Sequence, residues 1–210
     1  NMKFEQLVEL NNLIVSSETG AEDKYPVVIN ELRDTQRYLI ISSDPSAETD
    51  KTKDVNVAHS SFEERVIALF FLGNDSTESV NLLSRQYSEY KKIFFDNFYW
   101  THFSKRYAKG NPTNYWANKY LKRELKLFEP ELIIIFGSKP ADFLMGKRDF
   151  IERVATISFY EGTPTICCLH PSRNWNLNRR AEYKFDETWQ LIRSTIKYND
   201  EETRILNSIS

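Results

Sequence analysis

Leu132-Ile133-Ile134-Ile135-Phe136, followed at once by Gly137-Ser138-Lys139-Pro140, is the stretch that decides the fold class. Five consecutive apolar residues, three of them β-branched, are too few for a helix and leave no polar face. They read as a strand buried on both sides. Pro130 closes whatever precedes the run, and a glycine with a proline close behind it starts a helix after it. Two other runs share this character: Tyr38-Leu39-Ile40-Ile41-Ser42, ended by Asp44-Pro45, and Thr165-Ile166-Cys167-Cys168-Leu169, broken by His170-Pro171. The aromatic stretch from Phe98 to Thr101 reads as a fourth strand.

Helices are expected between these strands. Ser60 or Ser61 with Glu63 and Glu64 makes a capping-box start for a helix running to Leu72, where Gly73-Asn74 stops it. Others are expected over Glu78 to Lys92, from Pro112 to Pro130, and from about Ala181 to Lys197. Fully buried strands alternating with helices predict an α/β protein: a three-layer α/β/α fold around a central, mostly parallel four-stranded sheet. Leu7, Leu10, Leu13 and Ile14 fall at helical spacing, and a second short helix is expected from Pro26 to Arg33. Residues 2–36 are therefore read as an N-terminal helical extension packed on the core, 37–197 as the α/β domain, and 198–210 as a polar tail that frays.

The bulk properties exclude several classes. In 210 residues, Lys plus Arg number 28 and Asp plus Glu 30, for a formal charge of −2, and 40% of the chain is hydrophobic, so it is neither disordered nor fibrous. No apolar run approaches the roughly 18 residues that a membrane span needs, and no basic-then-apolar leader opens the chain. A soluble, cytoplasmic monomer without membrane contact is expected. The two cysteines, Cys167 and Cys168, are adjacent, a spacing that suits neither a disulfide nor a metal set. No metal and no cofactor is therefore expected. A metal-dependent hydrolase built from His59, His102, His170 and Asp44 stays open only as a minor alternative, since the spacings are long and include no helical i, i+4 pair.

Charge is unevenly spread. Residues 1–35 hold seven acidic residues against three basic ones. Residues 101–128 carry Lys105, Arg106, Lys109, Lys119, Lys122, Arg123 and Lys126 against Glu124 alone, with Tyr107, Tyr115, Trp116 and Tyr120 interleaved. Such a stripe either holds a polyphosphate partner or is a solvated helix face. In open α/β sheets, ligands bind beyond the carboxyl ends of the strands. Here those positions are Ser43-Asp44-Pro45, Thr101-His102, Gly137-Ser138 and His170-Pro171-Ser172, which take in two of the chain's three histidines.

These segments resemble, in order, the motifs of the uracil-DNA glycosylase superfamily. Leu39-Ile40-Ile41-Ser42-Ser43-Asp44-Pro45-Ser46 is similar to the first motif, G-Q-D-P-Y or a G-E-x-P-G variant. Phe98-Tyr99-Trp100-Thr101-His102-Phe103-Ser104-Lys105 is similar to Y-I-T-N-x-V-K, with His102 where the family places asparagine. The run from Pro130 to Ala141 resembles P-x-x-I-I-x-L-G-x-x-A, and Leu169-His170-Pro171-Ser172 the H-P-S segment. The ordered set covers roughly residues 37 to 197. Ser42 and Ser43 replace the first motif's opening glycine and polar residue, Arg173 replaces the proline after H-P-S, and the four cluster-binding cysteines of one branch are missing.

The resemblance implies hydrolysis of the bond between a damaged or deaminated base, uracil or a relative, and deoxyribose, after the nucleotide has swung out of the helix. Asp44 would face the anomeric carbon, stabilising an oxocarbenium-like sugar and orienting water. His170 would stabilise negative charge on the departing base. Ser43, Phe62 and His102 are the implied base-binding residues: Phe62 by stacking, His102 at the base edge, Ser43 through backbone N–H groups that extend to Ser46. Ser138, Lys139, Ser172, Arg173, Lys105 and Arg106 are the implied DNA contacts, with Trp175 as a wedge into the duplex. The implied partner is DNA, single- or double-stranded.

Bland readings stand beside these. Asp44-Pro45 after a strand also describes an ordinary turn, His170 before proline a loop residue, Phe62 a core residue at a helix start, and Trp175 a side chain packed under the last helix. A catalytically silent nucleic-acid- or nucleotide-binding protein of the same fold is the alternative to the hydrolase.

Overall fold

In the computed structural model, residues 1–18, 27, 30–43, 60–107, 114–172 and 177–209 are described. Four strands form the parallel core of one sheet: β1 (Tyr38–Ser42), β2 (Phe98–His102), β3 (Leu132–Phe136) and β5 (Thr163–Cys168). The short strand β4 (Ser158–Tyr160) adds an antiparallel edge, giving the order β2-β1-β3-β5-β4. The register aligns Ile40 with Trp100 on one side and with Ile134 on the other, and Ile134 with Ile166. The α/β class and the four parallel strands match the sequence reading. β4 is an addition: it joins β5 through Glu161 and Gly162, both at positive φ (47° and 83°). A two-residue hairpin needs that backbone, but Glu-Gly signals it less strongly than Asn-Gly would.

Strand pleating sends alternate residues into two cores. Tyr38 and Ile40, Phe98 and Trp100, Ile134 and Phe136 face a layer made by α2 (Ser60–Leu72), α3 (Thr77–Ser84), α4 (Tyr87–Asn97) and α9 (Phe185–Thr195). Leu39, Ile41, Tyr99, Ile133 and Ile135 face the other way, onto Leu7 of α1 (Met2–Glu18), Leu125 of α6 (Lys122–Phe128) and Ala141 of α7 (Ser138–Met145). Three layers result, as expected. α6 continues from a short α5 (Asn114–Trp116) through a π-helical stretch, Ala117–Leu121, and α1 lies against it through Leu10, Ile14 and Tyr120.

Helix boundaries depart from the sequence reading in four places. The expected helix over 78–92 is two, α3 and α4, parted at Arg85-Gln86. The last expected helix is also two, α8 (Leu177–Glu182) and α9, with Lys184 left-handed (φ 49°) between them. Neither break carries a glycine or proline, so local chemistry gives no signal for it. In the expected helix from Pro26 to Arg33, residues 30–33 are irregular. The tail does not fray: Asn199 and Glu202 form a reciprocal capping box that starts α10 (Asp200–Asn207), and Ile205, Leu206 and Ile209 pack on the first core. A second oxygen of Glu202 accepts from Asn97 Nδ2 at 2.8 Å, tying the tail to the end of α4.

Candidate active site

The strand order reverses direction between β1 and β3: from β1 the chain builds outward to β2 on one side and to β3 and β5 on the other. A switch point of this kind is where an α/β sheet binds ligands. Here the segments leaving β1 and β3 lie close together, and Ser43 Oγ donates to the Phe136 carbonyl at 3.5 Å. Gly137 sits at φ +97°, and a Cβ at that position would stand 3.1 Å from Ser43 Oγ, so only glycine lets β3 turn into α7 this close to β1. Ser138 and Lys139 open α7 on the exposed rim, and Ser172 closes a tight turn by donating its N–H to the His170 carbonyl at 2.8 Å.

On the α2 side of the sheet a belt of rings crosses these strand ends. Phe62, at the start of α2, lies parallel to His170, with ring centroids 5.4 Å apart and planes 2° from coplanar. Phe62 also touches Trp100 at 5.9 Å, Trp100 stacks on His102 at 6.3 Å, and Phe136 meets His170 edge-on at 6.1 Å. Trp100 Nε1 donates to Ser42 Oγ at 2.7 Å, which fixes the indole and satisfies a hydroxyl that is wholly buried. Two histidines separated by 68 positions in the chain thus occupy the ends of one aromatic row.

Both imidazoles are neutral at ordinary pH. Burial pushes His102 down to about 3, reinforced by the Lys105 ammonium and by His170. Burial pushes His170 down to about 4, with the Arg65 guanidinium adding to the effect. A neutral imidazole offers one donor and one acceptor, so each ring can hydrogen-bond to a ligand without adding a charge. Among the described residues, His102 Nδ1 and Ser104 Oγ find no hydrogen-bond partner, in residues 2% and 0% exposed. As a stacking platform, Phe62 differs from the expectation. Two van der Waals gaps of roughly 3.5 Å each would be needed to admit a base between two rings, and 5.4 Å leaves no such slot.

The basic stripe is the main correction. Lys105, expected on phosphate, has a side chain only 3% exposed and spends all three donors inside the protein: on Glu124 Oε2 at 2.7 Å, Thr101 Oγ1 at 2.9 Å and the His102 carbonyl at 2.9 Å. Glu124, 0% exposed, also accepts from Tyr99 at 2.6 Å and Thr101 at 2.8 Å, and Asn30 donates to Tyr99 and Thr101, both at 3.1 Å. The one acid in the stripe was therefore the informative residue: it neutralises a buried lysine. Lys119 is likewise engaged, since the Glu18 carboxylate at the end of α1 accepts from Lys119, Tyr120 and Trp116 at 2.9, 2.6 and 3.3 Å. The acidic front end thus covers part of the basic stripe. Lys122, Arg123 and Lys126 remain exposed, and Arg106 is half-buried in the turn after β2.

Asp44 follows Ser43 directly in the chain but lies outside the described residues, as do His59, Arg173 and Trp175. Among the described residues, no group of three or more histidine, cysteine, aspartate or glutamate side chains is placed to hold a metal ion. Sequence reasoning missed Arg65 and Asp75, which meet Arg180 behind the His170-Pro171 turn. Compared with known proteins, the sequence matches no protein-family model and no curated protein.

Proposed function

We propose that the protein is a DNA glycosylase-like hydrolase that releases a damaged or deaminated base by cleaving its N-glycosidic bond. The observation that carries this reading is the neutral His170, beyond the carboxyl end of β5 and faced by Phe62, on the same rim as Ser43, just past β1, and His102 of β2. The order of the motifs along the chain supports it. Water attacks the anomeric carbon and gives up a proton, the bond to the base nitrogen breaks, and the electron pair leaves with the base, spreading onto its carbonyl oxygen until the released proton neutralises it. A neutral imidazole N–H stabilises that oxyanion by hydrogen bonding. Asp44, one residue beyond Ser43, supplies the carboxylate that orients the water and offsets the positive sugar. His102 would meet the edge of the base through Nδ1, which has no partner among the described residues.

The alternative, a catalytically silent nucleic-acid- or nucleotide-binding protein, draws support from the direct contact of Phe62 with His170 and from the internal use of Lys105 and Lys119. Oligonucleotides carrying uracil, hypoxanthine, xanthine or a mismatched thymine, treated with hot alkali after incubation, separate the two readings. The hydrolase cleaves at least one of them, and Asp44→Asn and His170→Ala each abolish most of that cleavage. Binding that weakens with salt but yields no abasic product would establish the alternative instead.

A further inference from the structure

Behind the His170-Pro171 turn lies an ion cluster that the proposed chemistry leaves unused. Arg65, on α2 one turn beyond Phe62, spends both hydrogens of one Nη2: one on the Pro171 carbonyl at 2.7 Å, the other on Asp75 Oδ2 at 2.9 Å. Asp75, in the loop between α2 and α3, is also held by Arg180 of α8 in a two-point pair at 2.7 and 2.9 Å. The side chains of Arg65 and Asp75 are 11% and 10% exposed. Charge-assisted, two-point contacts of this kind fix geometry as well as adding energy. The cluster therefore joins three elements, α2, the α2–α3 loop and α8, to the single carbonyl that follows His170 in the chain.

We propose that Arg65 is a positioning residue for His170, fixing the imidazole through the Pro171 carbonyl while Asp75 and Arg180 fix Arg65, an assignment that rests on the glycosylase-like reading above. Phe62 and Arg65 share α2, so one helix supplies both the ring stacked on His170 and the cation behind it. The same guanidinium adds to the burial that keeps His170 neutral and able to donate without carrying charge. Among the described residues, the groups facing His170 are Phe62 and Arg65 from α2, Phe136 from β3 and His102 from β2. Arg65 is the one permanent charge among them.

The test follows the His170 ring protons by NMR through a pH titration of the whole chain, in wild type, Arg65→Gln and Arg65→Lys. Arg65→Gln leaves Asp75 paired with Arg180, so no carboxylate is stranded. Its His170 midpoint is expected to rise by about one unit, whereas Arg65→Lys, which keeps the charge, stays near wild type. On a uracil-containing oligonucleotide, Arg65→Gln is expected to lose turnover roughly ten- to a hundred-fold with KM little changed, and Arg65→Lys to recover part of it. An unmoved His170 midpoint in Arg65→Gln overturns the proposal, as does a moved midpoint with undiminished turnover. If wild type releases no base yet the midpoint moves as expected, the glycosylase reading falls while the coupling of Arg65 to His170 stands. Should Arg65→Gln not fold, the wild-type guanidinium decides: separate, slowly exchanging Nη resonances for Arg65 support the anchor, and fast-averaged ones overturn it.

Discussion

Replacing Lys105 by methionine separates two accounts of the basic stripe. The fold gives Lys105 a structural part: its ammonium, 3% exposed, neutralises a carboxylate that is 0% exposed. Methionine fills a similar volume but leaves Glu124 with hydroxyl donors only, those of Tyr99 and Thr101. Removing one partner of a buried pair costs about 3 to 5 kcal/mol. For a chain of this length each kcal/mol lowers Tm by roughly 2 to 4 °C, so a fall of about 6 to 20 °C is expected. Urea unfolding, followed by the fluorescence of the buried Trp100 and Trp189, measures the same loss. The double variant Lys105→Met/Glu124→Leu should regain most of it, because an apolar pair of similar volume replaces a buried ion pair at little net cost. If Lys105 instead neutralised a DNA phosphate, the single variant would keep its Tm and would reduce the slope of log affinity against log salt by about 0.9. That pair of results would refute the buried-pair assignment.

Two further outcomes follow from the fold. His102 and His170 titrate at about 3 and about 4 when folded, against an ordinary value of 6.5, so below pH 6.5 the unfolded chain binds more protons than the folded one. Their contribution is complete above that pH and is lost as pH falls toward the folded values, by up to about 2 kcal/mol for each imidazole on reaching pH 5. Denaturation midpoints that stay level from pH 7 to 5 would rule out two buried neutral imidazoles. Truncation after Lys197 removes Glu202 from Asn97 and strips the partly buried Ile205, Leu206 and Ile209 from the core. At about 1 kcal/mol for each half-buried side chain, a loss of about 3 kcal/mol is expected in urea, where a frayed tail would cost nothing.

Much of this architecture was legible because its signals are local. A run such as Leu132 to Phe136 has one stable solution, a strand covered on both faces, and three such runs separated by helices leave few topologies open. The carboxyl-end rule then brought Ser43, His102, Gly137, Ser138 and His170 to one rim from periodicity alone. The capping box of α10 is also present in Asn199-Asp200-Glu201-Glu202, but the polarity of the tail points the other way, toward fraying. A charge count treats every lysine as solvated and so cannot place Lys105. Its burial depends on Glu124, nineteen residues on, and the two meet only when α6 packs on the face of the sheet that holds Thr101.

The sequence by itself determined the class of fold, the four parallel strands and the edge of the sheet on which chemistry can sit, since apolar runs and turn residues act over a few positions. The tertiary structure alone decided which side chains meet there. Phe62 lies against His170, Arg65 takes the Pro171 carbonyl, and Glu18 takes Lys119, across 106 positions of chain in the case of Arg65. Contacts at that separation are set by helix packing and strand order, and burial then sets the charge states of His102 and His170. No local pattern encodes either.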